Sequence, residues 1–207
     1  MPLYERFKLI FFHNPKAGGS SIEKLLEMVE SPELLFDNYH TSLSVVALQH
    51  LPYTEVQRLL PAEKFDAYFK FTIVRNPWER LLSDYIWNNR NCKTFTEYVS
   101  YVDHIYQNYG LELSSLAKCP DMARHFLGHL LPQHLYTGPD VTVYRFENFA
   151  TDISSLVQLL GINKPIPHAN ARAHEHYSKY YDNSTKAIVE KIYARDIALF
   201  GYKFELI

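Results

Sequence analysis

Apolar runs and helical periodicities alternate along this chain of 207 residues. Two runs, at 7–12 and 67–74, are rich in aromatic and β-branched residues and predict buried strands. A third strand is predicted at 141–145. Apolar residues spaced by three and four positions predict a helix soon after each strand. These helices are expected from about residue 22, from residue 77 and at 152–160, and a last one at 184–199.

The junction between the first strand and the first helix has the composition of an anion site. It contains Pro15, Lys16, Ala17, Gly18, Gly19, Ser20 and Ser21. The start of a helix offers unpaired N–H groups and about half a positive charge. The glycines permit positive φ and a close approach of a phosphate to the backbone, while Lys16 adds a full charge and the two serines add hydroxyl donors. The alternative is a glycine-rich turn with a solvated lysine, and the order of strand, lysine and helix favours the anion site.

The second strand ends in a polar segment of the same kind. Arg75 follows the strand directly, Asn76 precedes a proline and can cap the next helix, and Ser83 lies about two turns into that helix. Ligands of α/β sheets bind at the carboxyl ends of strands. An arginine there can hold a phosphate through two parallel N–H bonds. The alternative is an arginine paired with a local carboxylate, such as Glu79 or Asp84.

A polar turn that contains His40 lies between these two segments, ahead of a short helix at 54–60 that starts with a capping-box pattern. Histidine is the side chain best suited to take a proton near neutral pH. With ten histidines in the chain, a surface or capping role for His40 is the simpler interpretation from the residues alone. His50 and Glu23 compete with it as candidate bases.

Composition narrows the classes of function. The net charge of −2 argues against a general attraction to nucleic acids or anionic membranes. Cys92 and Cys119 have no metal or redox spacing and suit a reducing compartment, although one disulfide stays open. The apolar run near the N-terminus is too short for a signal peptide or a membrane span. We therefore expect one soluble, cytoplasmic domain over residues 1–207. No metal is expected, since no carboxylate or cysteine completes a site with His125 and His129.

Two segments resemble the motifs of the sulfotransferases that use 3'-phosphoadenosine 5'-phosphosulfate (PAPS). Pro-Lys-Ala-Gly-Gly-Ser-Ser at 15–21 resembles their 5'-phosphosulfate loop, whereas the phosphate loop of nucleotide hydrolases places its lysine after the glycines. Val-Arg-Asn-Pro-Trp-Glu-Arg-Leu-Leu-Ser-Asp-Tyr at 74–85 resembles their 3'-phosphate motif. Further matches lie at 131–133, 144–149, 166–170 and 194–202. The chain thus resembles the carbohydrate-type (family 2-like) sulfotransferases, in particular small bacterial members related to the uronyl 2-O-sulfotransferases. Ala17 and Ser20 depart from the threonines common in such loops.

This resemblance implies a three-layer α/β/α sandwich with a mainly parallel central sheet, like that of the P-loop nucleotide kinases. It also implies transfer of a sulfuryl group from PAPS to a hydroxyl, expected to be that of a carbohydrate, without a metal. Lys16 would bind the 5'-phosphosulfate and stabilise the leaving oxygen, with residues 17–21 as further donors. Arg75 and Ser83 would hold the 3'-phosphate.

The resemblance further implies that His40 is the general base, because the related enzymes place a catalytic histidine between the two motifs. A loop after residue 165 would close over the nucleotide, which makes Lys179 and Tyr180 candidate contacts. Two alternatives stay open. A kinase of the same fold is disfavoured by the position of the lysine and by the lack of a strand-end aspartate for Mg²⁺. A non-catalytic protein that binds nucleotides or glycans would need Arg75 but no base.

Overall fold

A computed structural model gives the structure of the protein, and it describes residues 2–27, 33–34, 48–116, 127–167 and 173–207. Within these ranges the strands form a mixed sheet in the order β3-β1-β2-β4-β5. They are β1 (Pro2–Tyr4), β2 (Leu9–Phe12), β3 (Glu33–Leu34), β4 (Phe69–Val74) and β5 (Val141–Arg145). β2, β4 and β5 are parallel, whereas β1 is antiparallel to β2 and β3. The mainly parallel sheet is confirmed, and its antiparallel edge was not predicted.

Helices cover both faces of this sheet. They are α1 (Gly19–Glu27), α2 (Tyr53–Leu59), α3 (Ala62–Ala67), α4 (Pro77–Trp87), α5 (Phe95–Tyr109), α6 (Leu113–Leu116), α7 (Phe149–Leu159), α8 (Asn183–Ile192) and α9 (Ala194–Phe200). Residues 127–130 are also helical, and short 3₁₀ turns lie at Leu48–His50, Gln133–Tyr136, Phe146–Asn148 and Tyr177–Tyr180. No helix in the described ranges is long and apolar enough to cross a membrane.

The alternation of side chains along β2 divides the core into two clusters. Leu9 and Phe11 pack on one face with apolar residues of α1 and α7. Ile10 and Phe12 pack on the other face with residues of α2, α3, α4, α5, α8 and α9. Successive side chains of a strand point to opposite faces, so a strand that is apolar throughout is buried on both. The result is a helix–sheet–helix arrangement.

Several element boundaries differ from those that the sequence predicts. The first strand starts at Leu9 because residues 5–8 form a turn, in which Lys8 has φ of 47°. The second strand starts at Phe69 because α3 takes the preceding residues. The capping box at 54–60 is wrong: α2 begins one residue earlier, Pro52 is its N-cap, and no side chain caps it. The last predicted helix is two helices, which meet at Tyr193.

The predicted start of α4, with Asn76 as its cap and Pro77 as its first residue, is confirmed and determines where Arg75 lies. The Asn76 side chain accepts hydrogen bonds from the backbone N–H groups of Trp78 and Glu79, at 3.1 and 3.5 Å, and Pro77 is the first helical residue. Capping in this way satisfies N–H groups that have no partner inside the helix. It leaves Arg75 at the tip of β4.

Candidate active site

The two polar segments that follow β2 and β4 meet at one edge of the sheet. β2 and β4 are parallel neighbours, with Phe12 opposite Thr72, so their carboxyl ends lie side by side. Arg75 Nη1 donates a hydrogen bond to the carbonyl oxygen of Lys16 at 3.0 Å. The structure therefore brings Lys16 and Arg75, which are 59 residues apart, into direct contact.

Gln133 fastens the two segments together. Its Oε1 accepts from Asn14 Nδ2 at 2.8 Å and from the Arg75 backbone N–H at 2.9 Å, while its Nε2 donates to the Arg75 carbonyl at 2.8 Å. Asn14 Nδ2 also donates to the carbonyl of Ile73 at 2.9 Å. Gln133 is fully buried, and its amide binds the Asn14 side chain and the Arg75 backbone. No local pattern indicates this role, and the segment at 131–133 entered the sequence analysis only through a resemblance.

The backbone of the first loop is bent at two positions. Lys16 has φ of 64° and Gly18 has φ of 87°. A positive φ is uncommon for a residue other than glycine, and Lys16 shares it with Lys8, Arg90 and Asn91. The Lys16 ammonium lies 5.0 Å from the centre of the Trp87 ring, a cation–π distance. Lys16 is half-buried, and its ammonium lies over an aromatic ring.

Aromatic rings fill the space beside both glycines of the loop. A Cβ on Gly19 would lie 2.1 Å from Cδ2 of His13, and one on Gly18 would lie 3.0 Å from the rings of Phe146 and Phe149. The loop therefore needs glycine at these positions for packing, a reason that the sequence did not reveal.

The remaining loop residues begin α1. Ala17 is fully buried among the core residues under α1, so that its backbone alone can face a ligand. Ser20 is half-buried and Ser21 is buried, and both lie in the first turn, which contains no acidic residue. The positive end of this helix is therefore not neutralised by a carboxylate of its own.

Arg75 is buried, with 8% of its surface exposed, and it is paired with Glu79. Its Nη2 lies 2.6 Å from Glu79 Oε1, its guanidinium carbon lies 4.0 Å from the centre of the Phe146 ring, and its Nε has no hydrogen-bond partner in the described part of the chain. Burial lowers the pKa of Arg75, and the charge of Glu79 opposes that shift. Ser83 is half-buried one turn beyond Glu79 on the same face of α4.

Three histidine rings run from the loop to the end of α4. His13 and His50 lie edge to face with centroids 4.5 Å apart, and His50 and His129 do so at 5.2 Å. His13 Nδ1 donates to Glu23 Oε1 at 2.7 Å. His50 Nδ1 donates to the His13 carbonyl at 2.9 Å, and its Nε2 accepts from Gln49 at 3.0 Å. Burial lowers the pKa of His50 well below its usual value.

The third ring, His129, ties this row to Lys16 through Trp87. The rings of His129 and Trp87 are stacked with centroids 4.7 Å apart. His129 Nδ1 donates to Asp84 Oδ1 at 3.0 Å, and Arg90 Nη2 lies 2.6 Å from Asp84 Oδ2. Burial alone would raise the pKa of Asp84, but the hydrogen bond from His129 and the charge of Arg90 lower it to about 2. The ionised Asp84 carboxylate thus fixes the His129 ring, on which the Trp87 ring next to Lys16 is stacked.

The recorded contacts of two other predicted site residues, Lys179 and Tyr180, are with Glu175 and Phe95. His40 lies outside the described residues. Lys179 is exposed and forms an ion pair with Glu175 at 2.7 Å, while the half-buried Tyr180 packs its ring against Phe95. The same segment of the chain instead carries His174, whose Nε2 lies 3.3 Å from Glu79 Oε1.

No group of three or more His, Cys, Asp or Glu side chains in the described ranges is arranged to hold a metal. His129, which the sequence analysis considered, is bonded to Asp84, and His134 is bonded to Asp196.

The chain is similar to known proteins in two comparisons. A model of the sulfotransferase family matches residues 3–203. Among solved structures, the crystal structure of a sulfotransferase from Alicyclobacillus acidocaldarius aligns with 95% of this chain and 96% of that one, with a TM-score of 0.45 and 18% identity. No curated protein matches the sequence.

Proposed function

We propose that the chain, which belongs to the sulfotransferase family, transfers a sulfuryl group from PAPS to a hydroxyl of a carbohydrate acceptor. One observation carries the proposal: the segment with Lys16 and the segment with Arg75 are joined at the carboxyl edge of the sheet, with Arg75 Nη1 3.0 Å from the Lys16 carbonyl. PAPS has an anionic group on each side of its ribose. A single donor molecule can therefore reach both segments.

The 5'-phosphosulfate would lie at the start of α1. The amides of residues 17–21 and the hydroxyls of Ser20 and Ser21 are its proposed donors, and the absence of a carboxylate from the first turn favours an anion there. The 3'-phosphate would lie against Arg75 and Ser83. The buried Arg75 Nε, which has no hydrogen-bond partner among the described residues, is a donor ready for such a group.

The proposed reaction is an in-line displacement at sulfur. The acceptor oxygen forms a bond to sulfur while the bond from sulfur to the 5'-phosphate oxygen breaks, and adenosine 3',5'-bisphosphate leaves. Lys16 would stabilise the negative charge that develops on that phosphate oxygen. Catalysis of this type depends on positioning and charge, as in phosphoryl transfer.

The acceptor hydroxyl loses a proton, and we assign His40 as the general base. The competitors within the described structure support this choice because both are engaged. The Nε2 lone pair of His50 accepts from Gln49, and Glu23 Oε1 accepts from His13. To take a proton, Nε2 of His50 would have to give up Gln49, and Oε1 of Glu23 would have to give up His13.

A carbohydrate acceptor is supported by the surface next to Lys16. Trp87 is 42% exposed although its ring is stacked on His129, and the Lys16 ammonium lies 5.0 Å from its centre. An exposed aromatic face suits the apolar side of a sugar ring. The same proposal includes a relation to the uronyl 2-O-sulfotransferases and to the P-loop kinase fold. It also includes contacts of Lys179 and Tyr180 with the donor.

The decisive experiment offers labelled PAPS to the protein together with glycans, small alcohols and tyrosyl peptides. We expect label in a glycan, formation of an equal amount of adenosine 3',5'-bisphosphate, and no loss of rate with a metal chelator. Label in a peptide alone would reject the carbohydrate acceptor. The absence of labelled product from every acceptor, with PAPS bound, would favour a binding protein.

A further inference from the structure

Two carboxylates lie near the buried guanidinium of Arg75, and they are held differently. Glu147 Oε1 accepts from the backbone N–H that follows Arg75 at 2.6 Å, and Glu147 Oε2 accepts from the Tyr202 hydroxyl at 3.0 Å. Glu79 Oε1 lies 2.6 Å from Arg75 Nη2, and its other ion-pair partner in the described structure is His174, at 3.3 Å. Glu147 is therefore fixed by neutral groups, whereas Glu79 is held by charge.

Glu79 occupies half of the arginine fork that best fits a phosphate. Nε and Nη2 lie on the same side of a guanidinium and donate in parallel to two oxygens of one anion. Glu79 takes Nη2, and Nε is buried without a hydrogen-bond partner among the described residues. Nη1 is engaged with the Lys16 carbonyl. Nη2 carries two N–H groups, and Glu79 engages this nitrogen next to the buried Nε, so a phosphate that uses Nε and Nη2 would lie against the Glu79 carboxylate.

The position of Glu79 on α4 leads to the same conclusion. Glu79 and Ser83 are four residues apart on α4 and lie on one side of the helix, and Arg75, which precedes the helix, contacts Glu79. Glu79 thus lies between the two proposed ligands of the 3'-phosphate. Two carboxyl groups thus lie near one guanidinium, and a phosphate dianion would add negative charge in a buried setting where like charges repel strongly.

We propose that Glu79 is a displaceable counter-ion of the 3'-phosphate site, which lowers the affinity of the protein for the donor and for its bisphosphate product alike. This inference rests on the proposed function. When the 3'-phosphate takes Nε and Nη2 of Arg75, the Glu79 carboxylate moves to His174, which is already 3.3 Å from the same oxygen. Its return to Arg75 helps the product to leave.

The rival role for Glu79 is a purely structural one, in which it orients Arg75 for the phosphate. The two roles predict opposite signs. If Glu79 competes with the phosphate, its neutral replacement tightens binding of the bisphosphate. If it orients the arginine, the same replacement weakens binding. The variant of His174 separates them further, because that residue contacts Glu79 and not Arg75.

The test measures the dissociation constants of adenosine 3',5'-bisphosphate and of AMP by calorimetry for the wild type, Glu79→Gln and His174→Ala. We expect Glu79→Gln to bind the bisphosphate about tenfold more tightly, since one charge-assisted competitor is removed, and to bind AMP as the wild type does. His174→Ala should bind the bisphosphate about threefold more weakly, because the displaced carboxylate loses its second partner. The matched control is Glu55→Gln, which removes an ion pair with Arg58 on α2 and should change neither constant.

Weaker or unchanged bisphosphate binding by Glu79→Gln would overturn this inference while leaving the proposed donor intact. Equal affinity of the wild type for AMP and the bisphosphate would instead reject the 3'-phosphate site and this inference with it. Thermal melts of each variant check the fold, and His174→Ala tests the proposal without altering the Arg75–Glu79 pair.

Discussion

At the scale of single residues, Lys16 is the side chain on which the proposed chemistry depends most. Its positive φ of 64° and the Trp87 ring at 5.0 Å fix where the ammonium lies. A residue other than glycine in this conformation is strained by about 1–3 kcal/mol, and such strain persists where the surroundings hold the residue in place. Here the surroundings are Arg75, which binds the Lys16 carbonyl, and the stacked rings of Trp87 and His129.

The first prediction concerns Lys16→Ala. Turnover should fall on the order of a hundredfold, whereas binding of adenosine 3',5'-bisphosphate should weaken much less, because the charge matters most as the leaving oxygen becomes negative. Steady-state kinetics and calorimetry on one preparation measure both. Lys24→Ala, at an exposed position of α1, is the control and should keep full turnover. If Lys16→Ala turns over within about twofold of the wild-type rate, Lys16 is a turn residue without a catalytic role.

The second prediction concerns His40 and its competitors. His40→Ala should cut turnover by roughly two to four orders of magnitude with PAPS affinity nearly intact, since a general base contributes about that much. His50→Gln and Glu23→Gln are the comparison variants. A dead Glu23→Gln that still binds PAPS, beside a fully active His40→Ala, would move the base to α1.

The pH profile separates His40 from His50. Only neutral imidazole accepts a proton, so turnover rises with pH through the pKa of the base. If His40 is the base with an ordinary value, the rise is centred near pH 6.5. Burial holds the pKa of His50 well below that value, so an enzyme that relies on His50 would already be at full rate there.

At the scale of elements, α1 and α4 supply the two halves of the site by different means. α1 offers a helix start without a carboxylate of its own, packed against the His13 ring through Gly19. α4 is capped by Asn76 and carries Glu79 and Ser83 on one side, where Glu79 contacts Arg75. The 3₁₀ turn at Gln133–Tyr136 joins them, because Gln133 binds both loops.

The third prediction tests the contact between Gly19 and His13. Gly19→Ala should destabilise the protein by about 2 kcal/mol, because its Cβ would overlap a buried ring and overpacking has that effect. In a His13→Ala background the same change should be near neutral, since the ring is gone. Urea unfolding of the four proteins gives this double-mutant cycle, and Ser20→Ala is the control within the same turn. Equal losses in both backgrounds would mean that another contact limits Gly19.

Sequence patterns located these elements because their signals are local. Runs rich in aromatic and β-branched residues marked β2 and β4, and Asn76 with Pro77 marked the start of α4. The antiparallel edge formed by β1 and β3 was missed because strands of three and two residues carry almost no periodicity. The division of the last helix at Tyr193 was missed because one face of the pattern continues across the break.

At the scale of the whole molecule, the features missing from the sequence analysis are contacts between distant residues. Gln133 joins Asn14 and Arg75 across 119 and 58 positions. The row His13, His50 and His129 gathers three separate elements, and no spacing rule links them. The choice of Glu79 and not Asp84 as the partner of Arg75 depends on Asp84 being bonded to Arg90 and His129. A sequence shows which side chains can pair, and packing decides which do.

The last prediction concerns the rise in melting temperature of the whole fold when the nucleotide product of the donor binds. A ligand that binds the native state alone stabilises it by about 2.7 kcal/mol at a concentration one hundred times its dissociation constant. For a chain of this size each kcal/mol raises Tm by roughly 2–4 °C, so adenosine 3',5'-bisphosphate should raise Tm by about 5–11 °C. AMP lacks the group that Arg75 holds and should bind about tenfold or more weakly, which at the same concentration leaves about half of that stabilisation or less.

A thermal scan with each nucleotide and without magnesium measures both shifts, with 3'-AMP as the complementary control that keeps the 3'-phosphate and loses the 5' group. Equal shifts with AMP and the bisphosphate would remove Arg75 from donor recognition. A shift that requires magnesium would point to the kinase alternative.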